Sequence, residues 1–181
     1  MEDDPTLTGV LNEPEILTHR FDDDGAVPNN PRLPLIVYRQ AVNLPDNDPA
    51  HVFEVLFARN GWGGSWRNGI LPFNHFHSTA HEVLGIYSGS ATVQLGGEGG
   101  VTVTLEPGDV AVLPAGTGHR KLRSSGSLGV VGAYPNGQRP DMCRAEKGIA
   151  RVQVAQVAQV TLPGADPVYG PDGPLFEHWH D

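Results

Sequence analysis

Apolar positions in this chain fall into short runs with two different periods. Residues 33–42, Leu-Pro-Leu-Ile-Val-Tyr-Arg-Gln-Ala-Val, are β-branched and aromatic with polar residues only toward the end, which predicts a first strand. Pro34 lacks the N–H that a ladder needs and argues for an edge position. At Asp48 the period changes. An acid, then Pro49, then a stripe of Val52, Val55, Leu56 and Arg59 predict one helix near 49–59, capped by Asp48. The following Gly61-Trp-Gly-Gly-Ser-Trp66 reads as a loop. Its three glycines supply turn geometry, and Trp62 and Trp66 supply apolar area for the core or for a ligand cavity. From residue 70 onward the runs shorten: 70–76, 82–88, 91–95, 101–105, 110–113, 119–123, 128–134 and 152–160, mostly parted by Gly or Pro. That spacing predicts an antiparallel, all-β sandwich or barrel without βαβ units. Gly96-Gly-Glu-Gly-Gly100 sits between two alternating runs and reads as a hairpin turn, because it lacks the Lys-Ser/Thr ending of a nucleotide loop.

Composition narrows this picture. The 181 residues include 23 Gly and 16 Pro, too many for a helical bundle, while 39% are hydrophobic, enough for a folded core. No apolar run reaches the length of a membrane span. The formal charge of −9 disfavours nucleic acid and anionic membranes as partners. Residues 1–24 hold eight acids and one arginine, so the rest of the chain is nearly neutral. Residues 1–30 are therefore expected to form an acidic, partly disordered head, 31–160 a single β-barrel domain, and 161–181 an irregular tail packed on it through Leu175, Phe176 and Trp179. Cys143 is the one cysteine and cannot form an internal bridge; with no basic and apolar leader at the start, a cytoplasmic location is expected.

Three of the eight histidines crowd into Asn74-His-Phe-His-Ser-Thr-Ala-His-Glu82. On an extended segment His75 and His77 point the same way, and Glu82 opens the next strand facing back toward them. His119 begins a later strand after Pro114-Ala-Gly-Thr-Gly118 and is placed to close the group. Such mixed nitrogen and oxygen donors suit a divalent transition metal. A His-x-His pair by itself is more commonly a surface or hydrogen-bonded pair, so the reading leans on the second element. His81-Glu-Val-Leu-Gly85 is not the zinc-protease pattern, which needs a histidine where Gly85 stands.

These residues resemble the cupin motifs. Gly69, His75-Phe-His77, Glu82 and Gly89 match the first motif at its anchors. Gly108, Pro114-Ala-Gly116 and His119 match the second, with Arg123 where its closing Asn is usual. The stretch from His77 to Gly85, the preceding Gly-Trp…Trp-Arg-Asn-Gly69 and the late Asp166-Pro-Val-Tyr-Gly are similar to the small bacterial YjlB-like cupins. The resemblance implies a double-stranded β-helix, or jelly-roll barrel, with one N-terminal helix. It also implies one divalent ion per subunit (Fe, Mn, Zn, Ni or Co) held by His75, His77, Glu82 and His119, and a homodimer. The edge expected at 33–42 is the candidate for pairing between subunits.

His81 adjoins Glu82 and should face away from it on a strand, as a hydrogen-bonding neighbour or an alternative ligand. Alternation from Glu82 puts Leu84 and Ile86 on its side; with Phe73, Trp62 and Trp66 they describe a pocket wall for a small-molecule ligand, or simply core. Lys121 and Arg123 follow His119 at period two and either meet an anionic group or sit as solvated cations on the rim. Tyr87 and Tyr134 have no sequence neighbour to tune them. The expected functions are a metal-dependent oxygenase of the dioxygenase kind, a non-catalytic metal or small-ligand binding protein, or an isomerase or epimerase. The last needs a proton-transfer residue that the sequence does not single out.

Overall fold

The computed structural model describes residues 4–146, 148 and 151–181. Its strands are β1 (Glu15–His19), β2 (Leu35–Arg39), β3 (Trp62–Asn68), β4 (His75–Phe76), β5 (Glu82–Leu95), β6 (Val101–Leu105), β7 (Val110–Leu113), β8 (His119–Pro135) and β9 (Cys143–Arg144); its helices are α1 (Pro49–Arg59), α2 (Arg151–Gln159) and α3 (Leu175–His178). All nine strands join one antiparallel sheet in the order β1-β2-β7-β5-β8-β4-β9, with β3 on β8 and β6 on β5. Among the described residues the pairing does not return on itself. The closed jelly-roll barrel is therefore corrected to a curled, open, cupin-like sheet. One reason is local: only His75 and Phe76 of the expected strand at 70–76 pair, and Pro72 has no N–H to extend the ladder.

Alternation along the central strands sorts side chains onto two buried faces. Ile36, Tyr38, Val83, Val110, Val112, Val131 and Ala133 face outward into a cluster with Phe53, Leu56 and Phe57 of α1 and Leu175 and Trp179 at the C-terminus. Leu35, Val37, Leu84, Ile86, Ala111, Leu113 and Val130 face the concave side. Burial on both faces is why β2 and β7 read as nearly continuous apolar runs. Gly85 makes the outer contact close, since a Cβ there would lie 2.6 Å from the Phe53 ring.

Several expectations change. β2 lies between β1 and β7, so 33–42 is not the free edge proposed for subunit pairing; Pro34 precedes the paired residues and gives its carbonyl to the Trp179 indole N–H at 2.8 Å. The acid-rich head supplies edge strand β1, and Val27, Asn29 and Asn30 are buried, which is not a solvated tail. Asp48 precedes α1 in a left-handed conformation without a capping bond, and its carboxylate pairs with Arg67 instead. The buried stripe of α1 is Ala50, Val52, Phe53, Leu56 and Phe57 rather than one including Val55 and Arg59.

The loop expected at 61–66 is largely strand β3, whose register shift between Gly63 and Trp66 absorbs the glycines as a bulge. The runs 82–88 and 91–95 form one strand, as do 119–123 and 128–134. Gly89, at φ +62, bends β5 without ending it. The run 152–160 is mostly helix α2, not strand, because valines at 154 and 157 follow helical spacing and only Val157 is buried. The tail also contains α3, so the single N-terminal helix becomes three α-helices, with a short 3-10 turn at Pro5–Leu7, among the described residues. The hairpin at 96–100 does join β5 to β6. No helix among the described residues is long and apolar enough to cross a membrane.

Candidate metal centre

The ladder brings the histidines together. His75 on β4 lies directly opposite His119 on β8, with ring centroids 4.0 Å apart, and His77 follows one residue after β4. The ligand atoms of His75, His77 and His119 all fall within 4.8 Å of one another. Glu82, the first residue of β5, places Oε2 3.2 Å from Nε2 of both His77 and His119. The four residues are only 3–6% exposed.

Backbone carbonyls select the tautomers. Nδ1 of His75 meets Phe73 O at 3.0 Å, that of His119 meets Thr117 O at 3.0 Å, and that of His77 meets Asp141 O at 2.5 Å. A carbonyl only accepts, so each Nδ1 carries the proton and each Nε2 is left with its lone pair. Two of those lone pairs face a carboxylate oxygen that is itself buried without an aligned hydrogen-bond donor. Such a meeting of acceptors is stable only with a cation among them, either a proton on an Nε2 or a metal ion. The donor set and the orphaned oxygen therefore fit a divalent transition metal, and the His75, His77 and His119 cluster is able to coordinate one.

The electrostatics agree. Burial pushes His75 down to about 4, helped by the neighbouring His119, so it stays neutral. Burial also opposes charge on His77, but the Glu82 carboxylate outweighs it and holds this imidazole above the ordinary histidine value. For Glu82 burial works upward and is overcome by His77 and His119, which hold it well below the usual carboxylate range.

His81 is not part of this cluster. Its Nδ1 accepts the Ala115 N–H at 2.8 Å and its Nε2 faces the Thr161 carbonyl at 3.2 Å, so both nitrogens are occupied. Burial pushes its pKa down to about 4. The neutral ring braces the turn before His119 against the C-terminal segment.

A cavity of about 320 Å³ opens over the cluster. Of the residues expected to line it, Trp66, Leu84 and Lys121 do so. Trp62 belongs to the outer core, with its indole N–H on Ala165 O at 2.9 Å. Ile86 packs deeper on the concave side, Phe73 lies under the Arg144 guanidinium, and Arg123 is exposed with Nε on Thr92. For Arg123 the cause is a register shift between Thr92 and Val93, opposite Lys121 and Arg123, after which period two ceases to report one wall.

The lining also includes Asn68, Leu71, Tyr134 and Met142, which the sequence reading passed over or set aside. Tyr134 accepts the Trp66 indole N–H at 2.9 Å; burial and the Glu82 charge push its phenol upward. Asp141 was missed entirely. Besides its carbonyl on His77, its carboxylate takes the Ser78 N–H at 2.6 Å and the Ser78 hydroxyl, which ties the His77 loop to β9. It stands 64 residues from His77, and no local pattern signals the pairing.

Comparison with known proteins agrees with the motifs. Residues 68–127 match the cupin domain family model. The uncharacterised protein YjlB of Bacillus subtilis (strain 168) is 42% identical over 167 residues, covering 92% of this chain and 98% of that one. Among solved structures, a DUF861 family protein from Thermotoga maritima is 21% identical over 52% of this chain and 97% of that chain, with a TM-score of 0.31. Acireductone dioxygenase from Bacillus anthracis, with a cadmium ion in its active centre, is 18% identical over 71% of this chain and 84% of that chain, with a TM-score of 0.37. With both motifs present, their histidines gathered at one buried centre and a relative matched along nearly its whole length, the chain belongs to the cupin superfamily as a close relative of the YjlB-like proteins.

Proposed function

We propose that the protein holds one divalent transition metal ion through His75, His77, His119 and Glu82 and acts as a metal-dependent oxygenase on a small organic molecule in the cytoplasm. The observation that carries the metal reading is the orphaned Glu82 Oε2 facing Nε2 lone pairs whose partner protons are all committed to backbone carbonyls. A redox-active ion such as Fe(II), held there, would supply the centre at which dioxygen is bound and activated, with the organic molecule as the net reductant. The chain's own part is to fix the three imidazoles in one tautomer, keep Glu82 ionised, and seat the organic molecule in a cavity walled by Trp66, Leu71 and Leu84. The raised phenol of Tyr134 stays protonated at neutral pH, suited to donating a hydrogen bond and not to removing a proton, which weighs against the isomerase reading.

The test is metal analysis of untagged protein purified under metal-replete conditions, followed by oxygen uptake. One ion per chain in the wild type and none in His75→Ala is the expected result; wild type without stoichiometric metal overturns the proposal. Fe(II)-loaded protein is expected to consume dioxygen with its organic substrate. Saturable ligand binding without uptake would instead support a non-catalytic binding protein.

A further inference from the structure

Among the described residues lining the cavity over the cluster, Lys121 is the one lysine or arginine. It lies two residues beyond His119 on β8 and is half-buried. Its backbone N–H is held by the Leu71 carbonyl at 2.9 Å, which ties it to the mouth. Among the described residues lining the cavity the sole carboxylate is Glu82, and that group faces His77 and His119. Asn68 uses its side-chain oxygen to accept the Gly69 N–H at 2.8 Å, which leaves its NH₂ as a donor. Trp66, Leu71 and Met142 supply apolar surface between these polar groups.

Charge decides what such a cavity accepts. With the imidazoles neutral, as ligation to a metal requires, a divalent ion, the Glu82 carboxylate and the Lys121 ammonium sum to +2 within largely apolar walls. Uncompensated charge in that setting is unfavourable, and an anionic ligand relieves it. A lone ammonium with an amide NH₂ matches a single carboxylate, whereas the forked guanidinium that favours phosphate is missing from the described lining.

We propose that the ligand of this site is a small organic carboxylate with an apolar or aromatic body, its carboxylate anchored by Lys121 and its body stacked along Trp66, Leu71 and Met142. The excess positive charge rests on the metal reading above; the role of Lys121 does not.

Benzoate and its neutral isostere benzamide test this, titrated into metal-loaded and metal-stripped protein by calorimetry and by tryptophan emission. Trp66 lines the cavity, while Trp62 and Trp179 are 1% and 0% exposed and serve as background. Wild type is expected to prefer benzoate by about tenfold or more, Lys121→Met to lose that preference, and Lys121→Arg to keep most of it. Both variants should retain the metal content of wild type. Equal affinity for the two probes, no saturable benzoate binding, or a Lys121→Met variant that still prefers benzoate each overturns the proposal. A Lys121-dependent preference in protein that takes up no metal would support the anchor while removing the metal reading, so the two fail separately.

Discussion

The two faces of the central sheet handle buried polar groups in opposite ways. In the outer core beside α1 and the C-terminal segment, the buried polar side chains are answered. The Tyr38 hydroxyl donates to Asp166 Oδ2 at 2.7 Å, the Asp166 carboxylate also takes the N–H groups of Val168, Tyr169 and Leu175, and the Trp62 and Trp179 indoles each find a carbonyl. On the concave face the apolar layer ends at Glu82, where a buried carboxylate oxygen and three imidazoles are left to answer one another. The outer face is a packed core that seals itself. The concave face leaves its polar groups open, and that incompleteness marks it as the functional side.

The outer face should break first when its packing is removed. Phe53→Ala is expected to cost about 3–5 kcal/mol in urea unfolding while the folded protein keeps its metal content, because Phe53 packs over Gly85 and away from the cluster. A loss below about 1 kcal/mol would show that this face is not the main core.

Acid should next separate the brace from the site. His81 is held near 4 against an ordinary value of 6.5, so the unfolded chain takes up its proton first as pH falls. The sign follows: its contribution is fully present above about 6.5 and is lost as pH falls through 4, amounting to about 3 kcal/mol. In metal-free protein, His81→Leu should flatten the dependence of unfolding free energy on pH between these values. An unchanged slope would mean that His81 is not buried as a neutral ring.

Metal should stabilise through the concave face alone. At a hundredfold excess over its dissociation constant, the ion is expected to add about 2.7 kcal/mol to wild type and nothing to His77→Ala; chelation should reverse the gain. Equal stabilisation of both proteins would place the bound ion elsewhere. The smallest expected effect is at Gly132, where a Cβ would come within 2.1 Å of the Trp66 indole. Gly132→Ala should cost about 1–3 kcal/mol and shift tryptophan emission, while leaving metal content unchanged. Unshifted emission would mean that the indole does not rest on this glycine.

Much of the cluster was legible because its members sit at short, regular offsets. His75 and His77 share a side of an extended segment, and the Pro114 to Gly118 turn starts the strand of His119. His81, in the same short stretch, was ambiguous, since its partners Ala115 and Thr161 lie 34 and 80 residues away. Asp141 was illegible for the same reason, as its interaction with His77 runs through a backbone carbonyl. The run 152–160 misled because alternation at Val152 and Val154 gives way to helical spacing at Val157.

By itself the sequence determined the antiparallel β character, the helix before the barrel motifs and the identities of the clustered histidines. These rest on periodicity, turn chemistry and local offsets, which act over a few residues. Tertiary structure alone decided that the sheet stays open, that 33–42 is an inner strand, that the acid-rich head supplies an edge strand, and that His81 braces while its neighbours converge. Each of these depends on which distant segment supplies the hydrogen-bond partner or the covering side chain, and a one-dimensional pattern carries no record of that choice.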